Sequence, residues 1–265
     1  MKTSVNGNEV YCATGSNAPD PARPLMVFLH GAGFDHTVWL LLVRRFAQSG
    51  LSLLAPDLPG HGRSGGAPLR SIAEMADWTA ALIAATGAQR ASIVGHSMGS
   101  LIALETAARH PQAVTALALI CPSSKMRVSP HLLHAAEAGN RSAIDMVNIW
   151  GHGPRAVLGG SHVPGGWMLG AGARVLERAA PGVLHTDLAA CNEYKDALAS
   201  AVKVKAPTTV VLGERDMMTP AKFGRALAAE IPDARTVTIP RAGHMLMSER
   251  PNELFAALRH LAPGR

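Results

Sequence analysis

Short runs of apolar residues alternate along the chain with longer stretches in which apolar residues recur every three or four positions. The short runs predict buried strands, and the longer periodic stretches predict amphipathic helices. The predicted strands cover residues 25–30, 51–56, 91–96, 114–121, 206–214 and 234–240, with a weaker strand at 8–14. The predicted helices cover residues 36–50, 71–86, 97–109, 220–231 and 252–262. This alternation predicts an α/β fold: a parallel sheet covered by helices on both faces, with the weak first strand as an antiparallel edge.

The alternation of predicted strands and predicted helices stops between residues 123 and 200. This interval contains helical pieces but no convincing strand, and its middle, residues 151–170, is rich in Gly and Pro. A long interval of this kind inside a compact domain is either functional or disordered. We predict a helical lid at 123–200, with a mobile middle that lacks regular structure, inserted into a core formed by residues 1–122 and 201–265.

Large apolar residues lie in or beside this middle segment, namely Trp150, Trp167, Met168 and Leu169. Side chains of this kind can line an apolar pocket, which favours a lid over an insertion that contacts no site. The alternative for the tryptophans is that they only pin the lid to the core, as large aromatic residues commonly do.

Composition narrows the class of protein. The chain has 265 residues, of which 48% are hydrophobic and only 4% aromatic, so an aliphatic core is expected. It contains neither an apolar run of about 18 residues nor the apolar segment of a signal peptide, and we expect a cytoplasmic protein without a membrane partner. The net charge is +6, but the basic residues are dispersed, so no nucleic-acid partner is expected. Three scattered cysteines predict free thiols, and we predict neither a metal nor a cofactor.

The stretch from Gly95 to Gly99 reads Gly-His-Ser-Met-Gly and lies between a predicted strand and a predicted helix. A serine at such a tight turn takes a strained backbone conformation, and small neighbours are needed because strand and helix nearly touch. The helix N-terminus beneath the hydroxyl favours developing negative charge. Ser97 is therefore the candidate nucleophile.

A serine nucleophile needs a base and a group that orients the base. His244 follows the last predicted strand, and Asp216 follows the strand before it, so both belong to the edge of the sheet where Ser97 is expected. The order Ser, Asp, His is the one expected for this architecture. Glu214 is the alternative acid, although it lies closer to the strand.

A glycine-rich turn follows the first central strand at His30. Backbone N–H groups of such a turn can bind a tetrahedral oxyanion together with the N–H of the residue after the nucleophile. We assign Ala32 and Met98 as donors, with Gly33 as the alternative first donor. His30 is expected to brace the loop.

Further residues near these loops are candidates for substrate binding. They are Gly33, Phe34, Met217 and Met245, in addition to the lid residues Trp150, Trp167 and Met168. A second Asp-His-Ser set, Asp57, His61 and Ser64, lies within one short loop, where a turn-stabilising role is expected instead.

With these motifs in place, the sequence resembles the α/β-hydrolase superfamily, in its lidded serine esterase and lactonase branch. The matching stretches are residues 30–33, 57–64, 95–99, 213–216 and 243–244. The resemblance implies an eight-stranded, mostly parallel sheet with a lid after strand six. Haloalkane dehalogenases and epoxide hydrolases of this group carry aspartate where this chain has Ser97, which argues against both.

We predict a serine hydrolase that cleaves a carboxylic ester or lactone of a small, largely apolar molecule through an acyl-enzyme. Carbon–carbon bond hydrolases of aromatic degradation remain an alternative, although they usually have asparagine where this chain has His96. Cofactor-free perhydrolases and haloperoxidases are a second alternative. A ligand receptor without catalysis is a third, because fold alone does not give function.

Overall fold

The computed structural model describes residues 1–15, 18–161 and 166–262. Within them, eight strands form one sheet: β1 (Lys2–Val5), β2 (Asn8–Ala13), β3 (Leu25–Leu29), β4 (Ser52–Pro56), β5 (Ala91–His96), β6 (Val114–Ile120), β7 (Thr208–Gly213) and β8 (Arg235–Ile239). Their order in the sheet is β1-β2-β4-β3-β5-β6-β7-β8. The β2 strand is antiparallel to both its neighbours, and the other pairs are parallel. The predicted α/β sheet with an antiparallel edge is confirmed, and β1 is a strand that the residue pattern missed.

The central strands are buried on both faces. Along β3, Leu25, Val27 and Leu29 belong to one apolar cluster and Met26 and Phe28 to another, because successive side chains of a strand point to opposite faces. A continuous apolar run is therefore what a central strand needs when both faces are covered.

In the described residues, the α-helices are α1 (Leu40–Phe46), α2 (Ile72–Ala85), α3 (Met98–Arg109), α4 (Pro130–Glu137), α5 (Arg141–Gly151), α6 (Pro154–Val157), α7 (Met168–Glu177), α8 (Val183–Glu193), α9 (Ala197–Ala201), α10 (Ala221–Glu230), α11 (Leu246–Glu249) and α12 (Pro251–Leu258). Apolar residues of α2, α3 and α10 pack on one face of the sheet, and those of α1 and α12 pack on the other. Short 3-10 helices cover His36–Trp39, Pro111–Ala113 and Arg259–Leu261.

Two predicted helices show how local chemistry sets helix ends. Ser71 and Glu74 form the capping box that starts α2. The helix predicted over residues 36–50 is instead a 3-10 turn followed by the shorter α1. The Asp35 carboxylate accepts the N–H of Thr37 at 2.9 Å and caps the start of the 3-10 turn.

Helices α4 to α9 lie between β6 and β7, in the interval that departs from the alternation. The expectation that residues 151–170 lack regular structure is wrong in part, because α6 lies within them and α7 begins there. Pro154 occupies the first turn of α6, where its missing N–H costs nothing, and Gly153 N–H donates to Glu249 at 3.0 Å. Residues 162–165 lie outside the described residues.

We call the segment from residue 123 to 200 the helical insertion. It is attached to the core by polar contacts as well as apolar ones. Arg178 forms an ion pair with Asp35 at 2.6 Å, and the buried Asp187 pairs with His61 at 2.8 Å. That this insertion opens and closes as a lid stays a prediction.

The three cysteines, Cys12, Cys121 and Cys191, are buried free thiols, as predicted. Among the described residues, no helix is long and apolar enough to cross a membrane.

Candidate active site

Ser97 lies at the turn between β5 and α3 with φ 54° and ψ −118°, a left-handed conformation that is strained for a non-glycine residue. A Cβ atom at Gly95 would overlap the carbonyl of Gly99, and a Cβ atom at Gly99 would overlap the carbonyl of Leu29. Gly95 leaves room for the close approach of β5 to α3, and Gly99 leaves room for the close approach of α3 to the end of β3. The sequence pattern and the backbone geometry therefore agree on this turn.

His244 follows β8, and Asp216 follows β7. Their side chains meet: His244 Nδ1 lies 2.7 Å from Asp216 Oδ2, and both residues are buried. Burial alone would raise the pKa of Asp216, but the adjacent His244 and the donors of Thr219 outweigh burial and lower that pKa below its ordinary value. An ionised Asp216 fixes the imidazole with Nε2 as its free nitrogen, the arrangement that a general base needs.

Thr219 completes the Asp216 loop, and sequence reasoning missed it. The N–H groups of Met218 and Thr219 donate to Asp216 Oδ1 at 2.9 and 2.8 Å, and the Thr219 hydroxyl donates to Oδ2 at 2.7 Å. A hydroxyl residue three positions after an aspartate in a turn is the signal that could have identified it. Glu214, the alternative acid, accepts the N–H of Arg241 at an exposed edge and does not meet His244.

The backbone around His244 is also held. His244 N–H donates to the carbonyl of Gly151, at the end of α5, at 3.0 Å. His96 Nε2–H donates to the carbonyl of His244 at 3.0 Å. Burial and the nearby His244 lower the pKa of His96 well below its ordinary value, so His96 is neutral and serves as a hydrogen-bond donor. One contact comes from the insertion and the other from the residue before Ser97.

Ser97 and His244 border one cavity of about 160 Å³. The predicted substrate-binding residues Phe34, Trp150, Met217 and Met245 border the same cavity, as does Ala32. Apolar side chains that sequence reasoning did not single out complete the wall: Met126, Val128, Leu132, Val147, Leu188 and Met218. Several of these belong to insertion helices, whose placement over the sheet no local pattern specifies.

Three predicted substrate-binding residues lie elsewhere. Trp167 is 72% exposed and packs against its own helix at Gly170, because it caps the start of α7 and points outward. Met168 is buried but borders a different cavity, beside His152 and Met247. Gly33 borders a polar cavity on the far side of Phe34. The structure does not bring these three residues to the cavity of Ser97.

The geometry of the glycine-rich turn favours Ala32 over Gly33 as an oxyanion donor. Gly33 N–H donates to the buried Asp187 carboxylate at 2.8 Å and is therefore occupied. Ala32 borders the cavity, and Met98 is the first residue of α3, where N–H groups have no acceptor within the helix. His30 braces this loop as expected: its Nδ1–H donates to the Gly31 carbonyl at 2.9 Å, and its Nε2 accepts the N–H of Leu58 at 3.2 Å.

The loop that contains Asp57, His61 and Ser64 is not a second triad. Asp57 accepts from the His36 ring at 2.7 Å, and the Ser64 hydroxyl donates to the Asp57 carbonyl at 2.7 Å. His61 turns away to Asp187. The three side chains stabilise turns, as expected.

Two groups of side chains have the composition of metal ligands: His96 with Cys121 and His244, and Asp35 with His36 and Asp57. Burial raises the pKa of the Cys121 thiol well above its ordinary value, so no thiolate is available in the first group. In the second group, Asp35 is paired with Arg178, and Asp57 with His36. The first group therefore lacks a thiolate ligand and the carboxylates of the second are already paired, so neither is proposed as a metal site.

Comparison with known proteins agrees with the fold described above. Residues 26–258 match the model of a family described as "Alpha/beta hydrolase family". The "Putative carbamate hydrolase RutD" of Klebsiella pneumoniae (strain 342) is 30% identical over 247 residues, covering 86% of each chain. A "Pimeloyl-[acyl-carrier protein] methyl ester esterase" of Aromatoleum aromaticum is 28% identical over 257 residues, covering 91% of this chain and 99% of the relative. The enol-lactonase from Burkholderia xenovorans LB400 has the same fold, with a TM-score of 0.84 and 22% identity over 98% of this chain and 99% of that one.

Proposed function

The chain belongs to the alpha/beta hydrolase family, and from this premise we propose that it cleaves the ester bond of a small carboxylic ester or lactone, with Ser97, His244 and Asp216 as its catalytic residues. One observation carries the proposal. Ser97 and His244 border the same mainly apolar cavity, and Asp216 holds His244 from behind at 2.7 Å. The relatives named as a methyl ester esterase and a carbamate hydrolase support hydrolysis of an acyl bond.

The reaction has two halves. In the first, Ser97 Oγ attacks the carbonyl carbon while His244 Nε2 accepts the hydroxyl proton. The oxyanion receives hydrogen bonds from the N–H groups of Ala32 and Met98. As the bond to the leaving oxygen breaks, His244 returns the proton to the alcohol, and the acyl group stays on Ser97.

In the second half, water replaces the alcohol. His244 accepts a proton from this water, which attacks the acyl carbonyl, and the tetrahedral intermediate collapses with cleavage of the bond to Ser97 Oγ. The proton on His244 passes to Ser97, and the free acid leaves. A lactone follows the same path, except that alcohol and acid leave as one molecule.

The cavity limits the size of the substrate. Its volume of about 160 Å³ is below the range of about 300–1,000 Å³ typical of pockets for drug-sized ligands, so a short acyl or alcohol group is favoured. Methionine side chains from three segments, at Met126, Met217 and Met245, can adapt to several shapes. Acyl groups of different short lengths should therefore be accepted. A cytoplasmic location stays a prediction.

Hydrolysis of short p-nitrophenyl esters by the purified chain tests the proposal. Ser97→Ala should lower kcat by about 10⁴-fold or more while leaving Tm unchanged, because only the nucleophile is lost. A fluorophosphonate should label the parent chain at Ser97. The matched control is Ser142→Ala, an exposed serine on α5 outside the cavity.

Four outcomes would contradict the proposal. Full activity in Ser97→Ala would exclude this nucleophile, and labelling of Ser64 or Ser100 would reassign it. Binding of esters without turnover would favour a receptor. Turnover of aromatic diketones or of hydrogen peroxide, with none of esters, would favour the carbon–carbon hydrolase or the perhydrolase alternative.

A further inference from the structure

We call the cavity that Ser97 and His244 border the catalytic cavity. A second cavity, of about 220 Å³, adjoins it at the segment that follows β6. Met126 and Arg127 border both, so the two cavities share a wall. The second one is also bordered by Lys125 and Lys195, and none of the described residues that border it is acidic. We call it the cationic groove, defined by Lys125, Arg127 and Lys195.

The charges of this groove are largely unneutralised. In the part of the chain that the structure describes, Lys125 and Arg127 have no ion pair, whereas Arg109, Arg141, Arg174 and Arg178 each pair with a carboxylate. Lys195 Nζ donates to the carbonyl of Asn192, an uncharged partner. Three cations around one depression raise the local concentration of anions and steer them towards it.

The acidic residues nearby either accept hydrogen bonds from other side chains or do not border the groove. Glu105 accepts the hydroxyls of Tyr194 and Ser200, each at 2.6 Å. Glu193 and Asp196 flank Lys195 in the sequence, but neither borders the groove. The positive charge is therefore available to a ligand.

The backbone that presents Arg127 is fixed on both sides. The Ser123 hydroxyl donates to the carbonyl of Lys125 at 2.9 Å and accepts its N–H at 3.2 Å. The N–H of Val128 donates to Asn192 Oδ1, on α8, at 3.1 Å. These contacts hold Arg127 at the junction of the core and the insertion, at the rim of the catalytic cavity.

We propose that the substrate carries an anionic group, a carboxylate or a phosphate, which lies in the cationic groove against Arg127 while its ester or lactone carbonyl lies at Ser97. This inference rests on the proposed function, and it names the class of substrate. Among the described residues that border the catalytic cavity, Arg127 is the only arginine or lysine. An anion outside the apolar cavity keeps its hydration in part, so no burial of an unpaired charge is required.

The test compares anionic and neutral esters of similar length. Monomethyl adipate against dimethyl adipate places the charge on the acyl side. The 4-acetoxybutanoate anion against butyl acetate places it on the alcohol side, and 4-acetoxybutyl phosphate replaces carboxylate by phosphate. The measured quantity is the ratio of kcat/KM for the anionic ester to kcat/KM for its neutral partner.

Arg127→Gln should lower this ratio by roughly five- to tenfold in at least one arm, mainly through KM, because a charge contact at the rim acts on binding. Lys125→Gln should lower the same ratio by a smaller factor. Lys205→Gln removes the same charge from an exposed site outside the groove and should leave the ratio unchanged. Raising the salt concentration from about 0.01 M to about 0.15 M should lower the ratio in the parent chain.

An unchanged ratio in Arg127→Gln across all arms would overturn the inference, as would an equal fall in Lys205→Gln. The proposed function fails differently: neither anionic nor neutral esters would then be hydrolysed in a way that depends on Ser97. The arm that responds identifies the side of the ester that carries the anion, and whether that anion is carboxylate or phosphate.

Discussion

Replacing Asp187 by asparagine should strongly destabilise the protein, although Asp187 is not one of the proposed catalytic residues. Asp187 is fully buried on α8, and its Oδ2 atom accepts both the His61 ring at 2.8 Å and the N–H of Gly33 at 2.8 Å. His61 Nδ1–H donates to the Pro59 carbonyl at 3.0 Å. The proton shared by His61 and Asp187 therefore lies either on His61 Nε2 or on Asp187 Oδ2. The raised pKa of His61 favours the proton on Nε2, and the Gly33 N–H on the same Asp187 oxygen is consistent with this arrangement.

The magnitude follows from burial. Removing one partner of a buried ion pair costs about 3–5 kcal/mol, since the other charge is left without compensation. Asparagine keeps an oxygen that can accept the Gly33 N–H, which places the expected loss near the lower limit, at about 3 kcal/mol. For a chain of this size, about 2–4 °C of Tm corresponds to each kcal/mol, so Tm should fall by about 6–12 °C.

The pH dependence has a definite sign. Burial alone would lower the pKa of His61, but the charge of Asp187 and its hydrogen bond outweigh burial and raise that pKa above its ordinary value. Asp57 acts in the same direction, and the neighbouring His30 stays neutral because burial and the charge of His61 lower its pKa to about 4. Because the pKa of His61 is raised in the folded protein, its ion pair contributes fully to stability below about pH 6.5, the ordinary pKa of an unfolded histidine. That contribution disappears as the pH rises through the pKa of His61 in the folded protein.

Thermal unfolding at several pH values measures both effects. The difference in Tm between the parent chain and Asp187→Asn should be largest below about pH 6.5 and should shrink at higher pH. The control is Asp77→Asn, which removes an exposed partner of Arg109 and should cost less than about 1 kcal/mol. If Asp187→Asn melts like this control, or if the difference grows with pH, the buried ion pair is not the stabilising feature.

Three further predictions concern the site itself. Asp216→Asn should lower kcat for a p-nitrophenyl ester by about 10⁴-fold, whereas Glu214→Gln should keep most of it; the reverse result would make Glu214 the orienting acid. Trp150→Ala should change the ratio of kcat/KM between short and long acyl esters, and Trp167→Ala should not, because only Trp150 borders the cavity; equal effects would contradict this placement. Gly95→Ala should lower the free energy of unfolding in urea by more than about 3 kcal/mol, because the new Cβ overlaps the Gly99 backbone. The control is Gly65→Ala, whose Cβ meets only ordinary contacts. Equal stability of the two variants would refute the packing argument.

The parts of the site that the sequence predicts are those specified by local geometry. The turn at Ser97 requires small residues on both sides, and this requirement is visible as two glycines. His244 and Asp216 follow from chain order, since loops after parallel strands meet at one edge of the sheet. Strand positions are predicted for the same reason, because a strand buried on both faces must be a continuous apolar run.

The helical insertion could not be predicted to the same level. Its helices are recognisable from their periodicity, but which residues face the cavity depends on how the helices pack on the core. Trp150 and Trp167 are both large apolar residues near the same glycine-rich segment, yet one borders the cavity and the other is 72% exposed. No periodic signal distinguishes them, because Trp167 precedes the first turn of α7 rather than lying on a helix face.

Contacts across the insertion also determine how a substrate can enter. The carbonyl of Gly151 accepts the N–H groups of both His244 and Met245, and Asp187 accepts the N–H of Gly33 beside Ala32. Moving the whole insertion away from the core as one body would break these contacts and displace both His244 and the turn that carries Ala32. We therefore expect entry through the rim of the cavity, where Met217 is 70% exposed, with the end of α5 and the middle of α8 staying in place.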